Sequence, residues 1–166
     1  MKKIFTILIL TIFLAFINTC DEGLAPLGTN VTKITGTINY IGGIESWQAD
    51  SIVKEIRIIA FQVIPDTNVN IILEIINGNA FYTKDTLPRY VAQSNFTIEI
   101  PKPPVNLKYI VAVKRFGDDI FNDWRVIGLY HTSGDDTKPE SIYAERGRIY
   151  NITINVDLNK LPPQPF

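Results

Sequence analysis

The chain has very few of the residues that catalytic and metal sites most often use. Its 166 residues contain one cysteine, Cys20, and one histidine, His131. A single cysteine cannot form an internal disulfide, and a single histidine excludes a metal site with two histidine ligands. The CxxC motif, the G-x-S-x-G nucleophile elbow and a glycine-rich phosphate loop are absent too. The fold must therefore be held by core packing, and we expect neither a cofactor nor a metal.

An excess of positive charge, which a nucleic-acid-binding protein would need, is also lacking. The chain has 16 basic and 17 acidic side chains, and two of the basic ones, Lys2 and Lys3, belong to an N-terminal apolar segment. The rest of the chain is therefore slightly acidic, which argues against a nucleic-acid partner. Beyond residues 4–17, no apolar run approaches the roughly twenty residues that cross a bilayer.

The first twenty residues have the three parts of a secretory signal. Lys2 and Lys3 form a basic start, residues 4–17 are almost entirely apolar, and the chain turns polar at residues 21–23. The apolar run is too short to span a bilayer core of about 30 Å. We therefore predict a signal peptide over residues 1–19.

The end of this segment, Ile17-Asn18-Thr19-Cys20, resembles the lipobox of bacterial lipoproteins. In that family the cysteine thiol receives diacylglycerol and becomes the mature N-terminus. The resemblance implies that lipid on Cys20 anchors the protein to a membrane of the bacterial cell envelope, outside the cytoplasm, and the outer membrane is favoured over the inner. An ordinary signal peptide cut elsewhere and an uncleaved anchor are the alternatives.

The remaining chain divides into a tether, one domain and a short tail. Residues 20–30 contain two glycines, a proline and few large side chains, which favours a flexible tether. Residues 31–160 are predicted to form a single domain, because this length is enough for a self-sufficient core. Residues 161–166 include three prolines and are expected to run extended along the surface.

Apolar and polar residues alternate with period two in most of the domain, which is typical of half-buried strands. The alternating or β-branched segments are 31–40, 52–64, 96–100, 108–114, 124–130 and 148–158. In the first of them Ile34, Ile38 and Tyr40 share the expected inward face. In the fourth, Tyr109, Val111 and Val113 are expected to share one face and Lys108, Ala112 and Lys114 the other, more polar one.

One segment, residues 69–82, is ambiguous between helix and strand. Its apolar residues have helical spacing, but the run is rich in β-branched side chains, which favour strands. Asn77-Gly78 follows it and is the two-residue signal of a type I′ hairpin. The sequence therefore predicts a hairpin that pairs residues 71–76 with 79–83.

Together these segments predict an all-β fold, an antiparallel β-sandwich of about seven to nine strands. Alternation favours antiparallel strands, since strands of a parallel sheet read as continuous apolar runs. Segments 35–38, 56–61 and 107–113 resemble carboxypeptidase-regulatory-like domains, and Gly78–Phe81 resembles that family's short third strand. The resemblance implies a transthyretin-like (immunoglobulin-like) sandwich and a non-catalytic role at the cell surface. The loop at Trp47 and the 69–76 insert are longer than that family's usual turns.

Three groups of residues were considered as functional sites. His131 could form a triad with Ser133 or Ser141, but a loop histidine without a catalytic role is favoured. The pairs Asp118-Asp119 and Asp135-Asp136 could bind calcium, but aspartate is common in tight turns and one strand separates the pairs.

The third group is aromatic and could stack on sugar rings. Its members are Trp47, Tyr90, Phe121, Trp124 and Tyr130. Aromatic side chains of a sandwich more often pack in its core or at its edges.

The sequence favours a non-catalytic envelope module that binds a protein or a glycan or serves as an assembly part. The alternative is an envelope hydrolase that uses His131 with a nearby serine or aspartate. An exposed aromatic patch near Trp47 or Trp124 would favour binding. A cavity that holds His131 beside an aspartate or serine would favour the enzyme.

Overall fold

The computed structural model describes residues 31–49, 52–66, 69–135 and 137–165, and β-strands are the main regular structure in them. The predicted signal peptide, Cys20 and the tether lie outside the described residues, as do Asp136 and the last residue. The described elements, in chain order, are β1 (Thr32–Tyr40), a 3-10 helix (Gly43–Ala49), β2 (Glu55–Phe61), α1 (Ile71–Ile76), β3 (Ala80–Tyr82), β4 (Gln93–Ile100), β5 (Val105–Leu107), β6 (Tyr109–Arg115), β7 (Trp124–Leu129), β8 (Ile142–Ala144) and β9 (Ile149–Val156).

Seven strands form one large sheet in the order β3-β2-β6-β7-β9-β1-β4, and β5 pairs with β8 in a small second sheet. β7 and β9 are joined at a single residue pair, Gly128 with Val156. This narrow junction divides the large sheet into one part made of β1, β4 and β9 and another made of β2, β3, β6 and β7. The all-β prediction is confirmed.

The prediction that every strand is antiparallel is wrong for β1 and β9. These strands run parallel over eight residue pairs, from Lys33 with Ile149 to Tyr40 with Val156, while β1 pairs with β4 in the antiparallel sense. Both β1 and β9 alternate between buried and more exposed residues. Alternation reports that one face meets water, and it says nothing about the direction of the neighbouring strand.

The main core lies between the two parts of the large sheet. The alternation predicted for β1 is confirmed, since Ile34 and Ile38 are fully buried. Burial of an isoleucine side chain is worth about 1.5–3 kcal/mol, so this layer is the main source of stability. Its fully buried isoleucines and valine from both parts are Ile34, Ile38, Ile56, Ile58, Ile98, Ile110, Ile154 and Val156.

A second apolar cluster covers the other face of β2, β6 and β7. Tyr109, Val111 and Val113 point into it, beneath α1. Ile110 and Ala112 point into the main core instead. The prediction that β6 has one apolar and one polar face is therefore wrong, because α1 covers the side that would otherwise meet water.

The predicted hairpin of residues 71–76 with 79–83 is also wrong, because residues 71–76 form α1. Asn70 caps the helix, and its Oδ1 accepts hydrogen bonds from the N–H groups of Ile72 and Leu73 at 3.0 and 3.2 Å. Such a cap satisfies backbone donors that a first helical turn leaves unpaired. The helical spacing of the apolar residues, which lets Ile71 pack on the second cluster, outweighs their β-branching.

The Asn77-Gly78 pair ends the helix instead of turning a hairpin. Gly78 has φ +77, and its N–H donates to the carbonyl of Ile75 at 3.1 Å. A glycine in the left-handed region is a common residue just after a helix. The strand that follows, β3, then pairs with β2.

The proline-rich tail passes along β7 without strand pairing. The side-chain amide of Gln164 bonds to both backbone groups of Val126: Oε1 accepts from its N–H at 2.9 Å, and Nε2 donates to its carbonyl at 3.0 Å. One side chain thus supplies the partner that a neighbouring strand would provide at this point of β7.

Candidate functional site

Three aromatic rings contact one another in tilted pairs at the end of β1 that lies away from Thr32. The ring centroids of Tyr40 and Trp47 are 4.5 Å apart, and those of Trp47 and Tyr90 are 5.4 Å apart. Trp47 is only 3% exposed, and its Nε1 donates to the carbonyl of Val91 at 2.8 Å. Burial raises the pKa of Tyr40 to about 12, so this phenol stays neutral. Trp47 is therefore a core residue that supports Tyr90.

Tyr90 is the outermost of these rings and has an unusual backbone. Its side chain is 51% exposed, and its φ of 59 is the only positive value of a non-glycine residue in the described part of the chain. Side chains in the left-handed region cost about 1–2 kcal/mol. The hydrogen bond from Trp47 to Val91, and another from the Arg89 guanidinium to the carbonyl of Val53, hold the segment in place. Backbone strain of this kind concentrates at functional sites.

Exposed aliphatic side chains flank Tyr90. Ile44 in the 3-10 helix and Ile52 before β2 are both largely exposed. A Cβ built on Gly43 would lie 3.9 Å from the Cβ of Ala92, so the 3-10 helix is adjacent to the segment that carries Tyr90. We call Ile44, Ile52, Arg89 and Tyr90 the end surface. Tyrosine and arginine are enriched in protein interfaces, and isolated exposed aliphatic residues are not.

Sequence reasoning found Tyr90 and Trp47 but missed the rest of the end surface. Ile44 and Ile52 lie outside the regular parts of the strands, where an apolar residue has no inward face to occupy. A large aliphatic side chain in a loop segment was the available signal.

His131 lies at the junction between β7 and β9 and lines a cavity of about 320 Å³. The strands approach closely there, since a Cβ on Gly128 would lie 3.0 Å from the carbonyl oxygen of Asn155. The Nδ1 atom of His131 is buried and has no hydrogen-bond partner among the described residues. The polar residues that line the cavity are His131, Asn155, Asp157 and Lys160.

The structure brings His131 together with Asp157 but not with the two serines considered from sequence. Neither Ser133 nor Ser141 lines this cavity, and both are exposed. Ser133 Oγ instead accepts a hydrogen bond from the N–H of Asp135 at 3.3 Å. Asp157 accepts from the N–H of Asn159 at 2.9 Å. The residues that line the cavity include no serine, threonine or cysteine, so they offer a base and a carboxylate without a hydroxyl or thiol nucleophile.

The carboxylates of the Asp118-Asp119 loop are used within the protein. Asp118 forms an ion pair with Lys54, and this hydrogen bond lowers the pKa of Asp118. The Asp119 carboxylate accepts from Asn122 Nδ2 at 2.7 Å and from the N–H of Phe121 at 2.8 Å. These are the contacts of a turn, in which aspartate bonds to the neighbouring backbone.

The second acidic loop has similar contacts at Asp135. Its carboxylate accepts from the Thr137 hydroxyl at 2.6 Å and from the Thr137 N–H at 3.0 Å, and these bonds lower its pKa. Its predicted partner Asp136 lies outside the described residues. Within the described ranges, no three histidine, aspartate or glutamate side chains are grouped as a metal site would need.

The other aromatic residues considered from sequence do not form a common platform with Tyr90. Trp124 is nearly buried, and its Nε1 donates to the carbonyl of Ile120 at 2.7 Å. Tyr130 packs against the main core. Phe121 is exposed but lies beside α1, where its carbonyl accepts from Asn70 Nδ2 at 3.0 Å.

Comparison with known proteins gives no relative from which a function could be transferred. No protein-family model, no curated protein and no solved structure matches the chain significantly. In the part of the chain that the structure describes, no helix combines the length and apolar character needed to cross a bilayer. The function must therefore be argued from the sites themselves.

Proposed function

We propose that this protein is a lipid-anchored, non-catalytic binding module of the bacterial cell envelope. Lipid on Cys20 holds it to the membrane, and the two parts of the large sheet form a transthyretin-like sandwich. The end surface binds the ligand. The observation that carries the binding role is Tyr90, an exposed aromatic ring on a strained backbone that packs at a tilt against a buried tryptophan.

The composition of the end surface favours a protein partner over a glycan. A sugar ring needs a flat aromatic face with polar groups around it, whereas Ile44 and Ile52 offer only aliphatic contact beside Tyr90. The guanidinium carbon Cζ of Arg89 lies 6.0 Å from the Tyr90 ring centroid, so Arg89 supplies a cation at the edge of the end surface. Tyrosine and arginine are the residue types that recur at interface hot spots, so Tyr90 and Arg89 favour a protein partner.

The position of the end surface is compatible with an anchor at the N-terminus. β1 has nine residues and begins at Thr32, next to the proposed tether, and the three aromatic rings lie at its other end. A strand of this length spans roughly 25 Å. The end surface is thus separated from the tethered end of β1 by the length of the strand.

Replacement of Cys20 by alanine is expected to abolish lipid attachment. The thiol is the atom that would be acylated, and the chain has no second cysteine. Metabolic labelling with a palmitate analogue should mark the wild type and leave Cys20→Ala unmarked. Equal labelling of the two proteins would contradict the anchor.

Substitutions in the end surface are expected to abolish binding of the partner protein. A photocrosslinking residue at position 44, in cells that make the full chain, should recover one stoichiometric envelope protein. Tyr90→Asn should reduce this crosslink at least tenfold, because it removes the ring. Asparagine tolerates a positive φ, so the segment keeps its backbone. Mass spectrometry identifies and quantifies the partner.

Tyr143→Asn is the matched control, since Tyr143 is a similarly exposed tyrosine on β8. It should leave the crosslink unchanged. An equal loss in both variants, or no stoichiometric partner in the wild type, would contradict the end surface as the binding site.

A hydrolase is the second candidate, and the cavity that His131 shares with Asp157 favours it. In that case His131 would act as a base toward a water molecule, since no hydroxyl or thiol side chain lines the cavity. A turnover that His131→Ala abolishes and Tyr90→Asn leaves unchanged would replace the binding proposal with this one.

A further inference from the structure

The outer side of α1 is an exposed apolar face that nothing in the described protein covers. Ile76 is 70% exposed and Leu73 is 50% exposed, although the same helix buries Ile71 on its inner side. Leu73 and Ile76 are three residues apart, so they form one stripe along the helix. A helix that packs on a protein core normally presents polar residues on this side.

Two neighbouring segments extend the stripe at the two ends of α1. At its start, Asn70 Nδ2 donates to the carbonyl of Phe121 at 3.0 Å, and Phe121 is 47% exposed. At its end, Gln62 Nε2 donates to the carbonyl of Gly78 at 2.8 Å, which places the exposed Val63 nearby. We call Val63, Leu73, Ile76, Ile120 and Phe121 the helix face.

The turn that carries Ile120 and Phe121 directs these two apolar side chains toward solvent. The Asp119 carboxylate fixes the turn by accepting from the backbone N–H of Phe121, and the Trp124 indole fixes it by donating to the carbonyl of Ile120. Ile120 and Phe121 are both about half exposed on this fixed turn. Large apolar side chains on a held turn favour insertion into an apolar phase over contact with water.

The charges around the helix face are acidic, with Glu74 on α1 itself, and argue against an anionic partner. No lysine or arginine occurs between Arg57 and Lys84, a stretch that includes all of α1. Lys54, near the Phe121 turn, is paired with Asp118. The face therefore lacks the basic residues that would attach it to anionic headgroups, and its affinity must come from apolar contact.

We propose that the helix face docks on the bilayer that carries the lipid anchor, with Ile76 and Phe121 inserted among the lipids; this inference rests on the proposed acylation of Cys20. Ten residues lie between Cys20 and Val31, so eleven Cα–Cα steps join them. They can extend by at most about 40 Å, so the domain cannot leave the neighbourhood of the membrane. Confinement at this distance gives a weakly apolar face a high effective concentration of lipid.

The absence of any other cysteine allows a direct test with the full, acylated chain. Ile76→Cys, Phe121→Cys and the control Thr153→Cys each introduce one thiol, which is labelled with an environment-sensitive fluorophore after acylation of Cys20. Thr153 is exposed on β9, on the opposite part of the sheet. Each protein is reconstituted into phosphatidylcholine vesicles with and without doxyl-labelled lipid. Flotation of the protein with the vesicles shows that Cys20 is acylated. Quenching by the doxyl lipid shows that the helix face is in contact with the bilayer.

The expected result is a blue shift and loss of most emission to the doxyl lipid at positions 76 and 121, with no quenching at position 153. The further change Leu73→Asp should restore much of the emission at position 121. Floating protein without quenching at 76 and 121 overturns the docking and leaves the anchor intact. If the labels are protected from aqueous iodide but are not quenched by the doxyl lipid, a protein covers the helix face. That result also overturns the docking on the bilayer. If the protein does not float and the fluorophore labels it without an introduced thiol, Cys20 is not acylated. That result overturns both the anchor and the docking.

Discussion

Replacement of Gly36 by alanine is expected to destabilise the protein substantially, although it adds a single methyl group. Gly36 lies in β1 between two paired strands, opposite Phe96 on β4 and Ile152 on β9. A Cβ at this position would lie 2.1 Å from the carbonyl oxygen of Ile152 and 2.8 Å from Cζ of Phe96. The Phe96 ring could rotate, but the carbonyl belongs to the ladder between β1 and β9 and cannot move without breaking it.

The expected cost is at or above the usual ~1–3 kcal/mol for an overpacked core, because backbone must shift. A domain of this size has only about 5–15 kcal/mol to lose. Urea unfolding, followed by circular dichroism, measures the change in the free energy of unfolding.

Gly78→Ala is the matched control for this prediction. Gly78 has φ +77, but a Cβ there would meet nothing within 4 Å. Its cost should therefore be limited to the left-handed backbone, about 1–2 kcal/mol. A Gly36→Ala variant that is no less stable than Gly78→Ala would show that β9 does not pass this close to β1.

The sequence was sufficient to predict the strands whose two faces meet different surroundings. β1 and β9 each have one inward face, so alternation identified Ile34, Ile38 and Ile154 as core residues. The same reasoning failed at β6, since α1 covers the face that would otherwise be solvated. It also could not give the direction of β9 relative to β1, because alternation depends on solvent and not on strand direction.

The helix was missed because two local signals conflicted. β-branched residues and Asn77-Gly78 favoured a hairpin, while the spacing of the apolar residues favoured a helix. Asn70 decides between them, as its side chain caps the first turn, and Gly78 is used to end the helix. Asparagine before an apolar run is a recognised signal of a helix start, and it was available in the sequence.

The sites depend on contacts that no local pattern contains. His131 and Asp157 are 26 residues apart in the chain and line one cavity only because Gly128 pairs with Val156. Tyr90 and Trp47 are brought together in the same way, through the hydrogen bond from Trp47 to Val91. Sequence identified these residues as candidates, and the pairing of distant strands and loops determines which of them meet.

Replacement of Ile154 by aspartate is expected to unfold the protein, whereas the same change at the next residue should be nearly silent. Ile154 is fully buried in the main core, between β1 and the strands of the other part of the sheet. The change removes apolar contact and places a carboxyl group where no polar partner is available. Buried unpaired charge belongs to the short class of changes that cost more than about 4 kcal/mol, which is comparable to the whole stability of a domain.

Thr153 tests the assignment of faces, because it has the same strand, the same neighbours in sequence and an exposed side chain. Surface changes of this kind stay within about 0.5 kcal/mol, and an aspartate at 153 would remain solvated. Urea unfolding of Thr153→Asp should therefore overlay that of the wild type, while Ile154→Asp should be unfolded or insoluble without denaturant. Similar losses of stability at both positions would mean that the inward face of β9 has been assigned to the wrong residues. Because β9 pairs with both β1 and β7, an error there would also displace the junction that forms the His131 cavity.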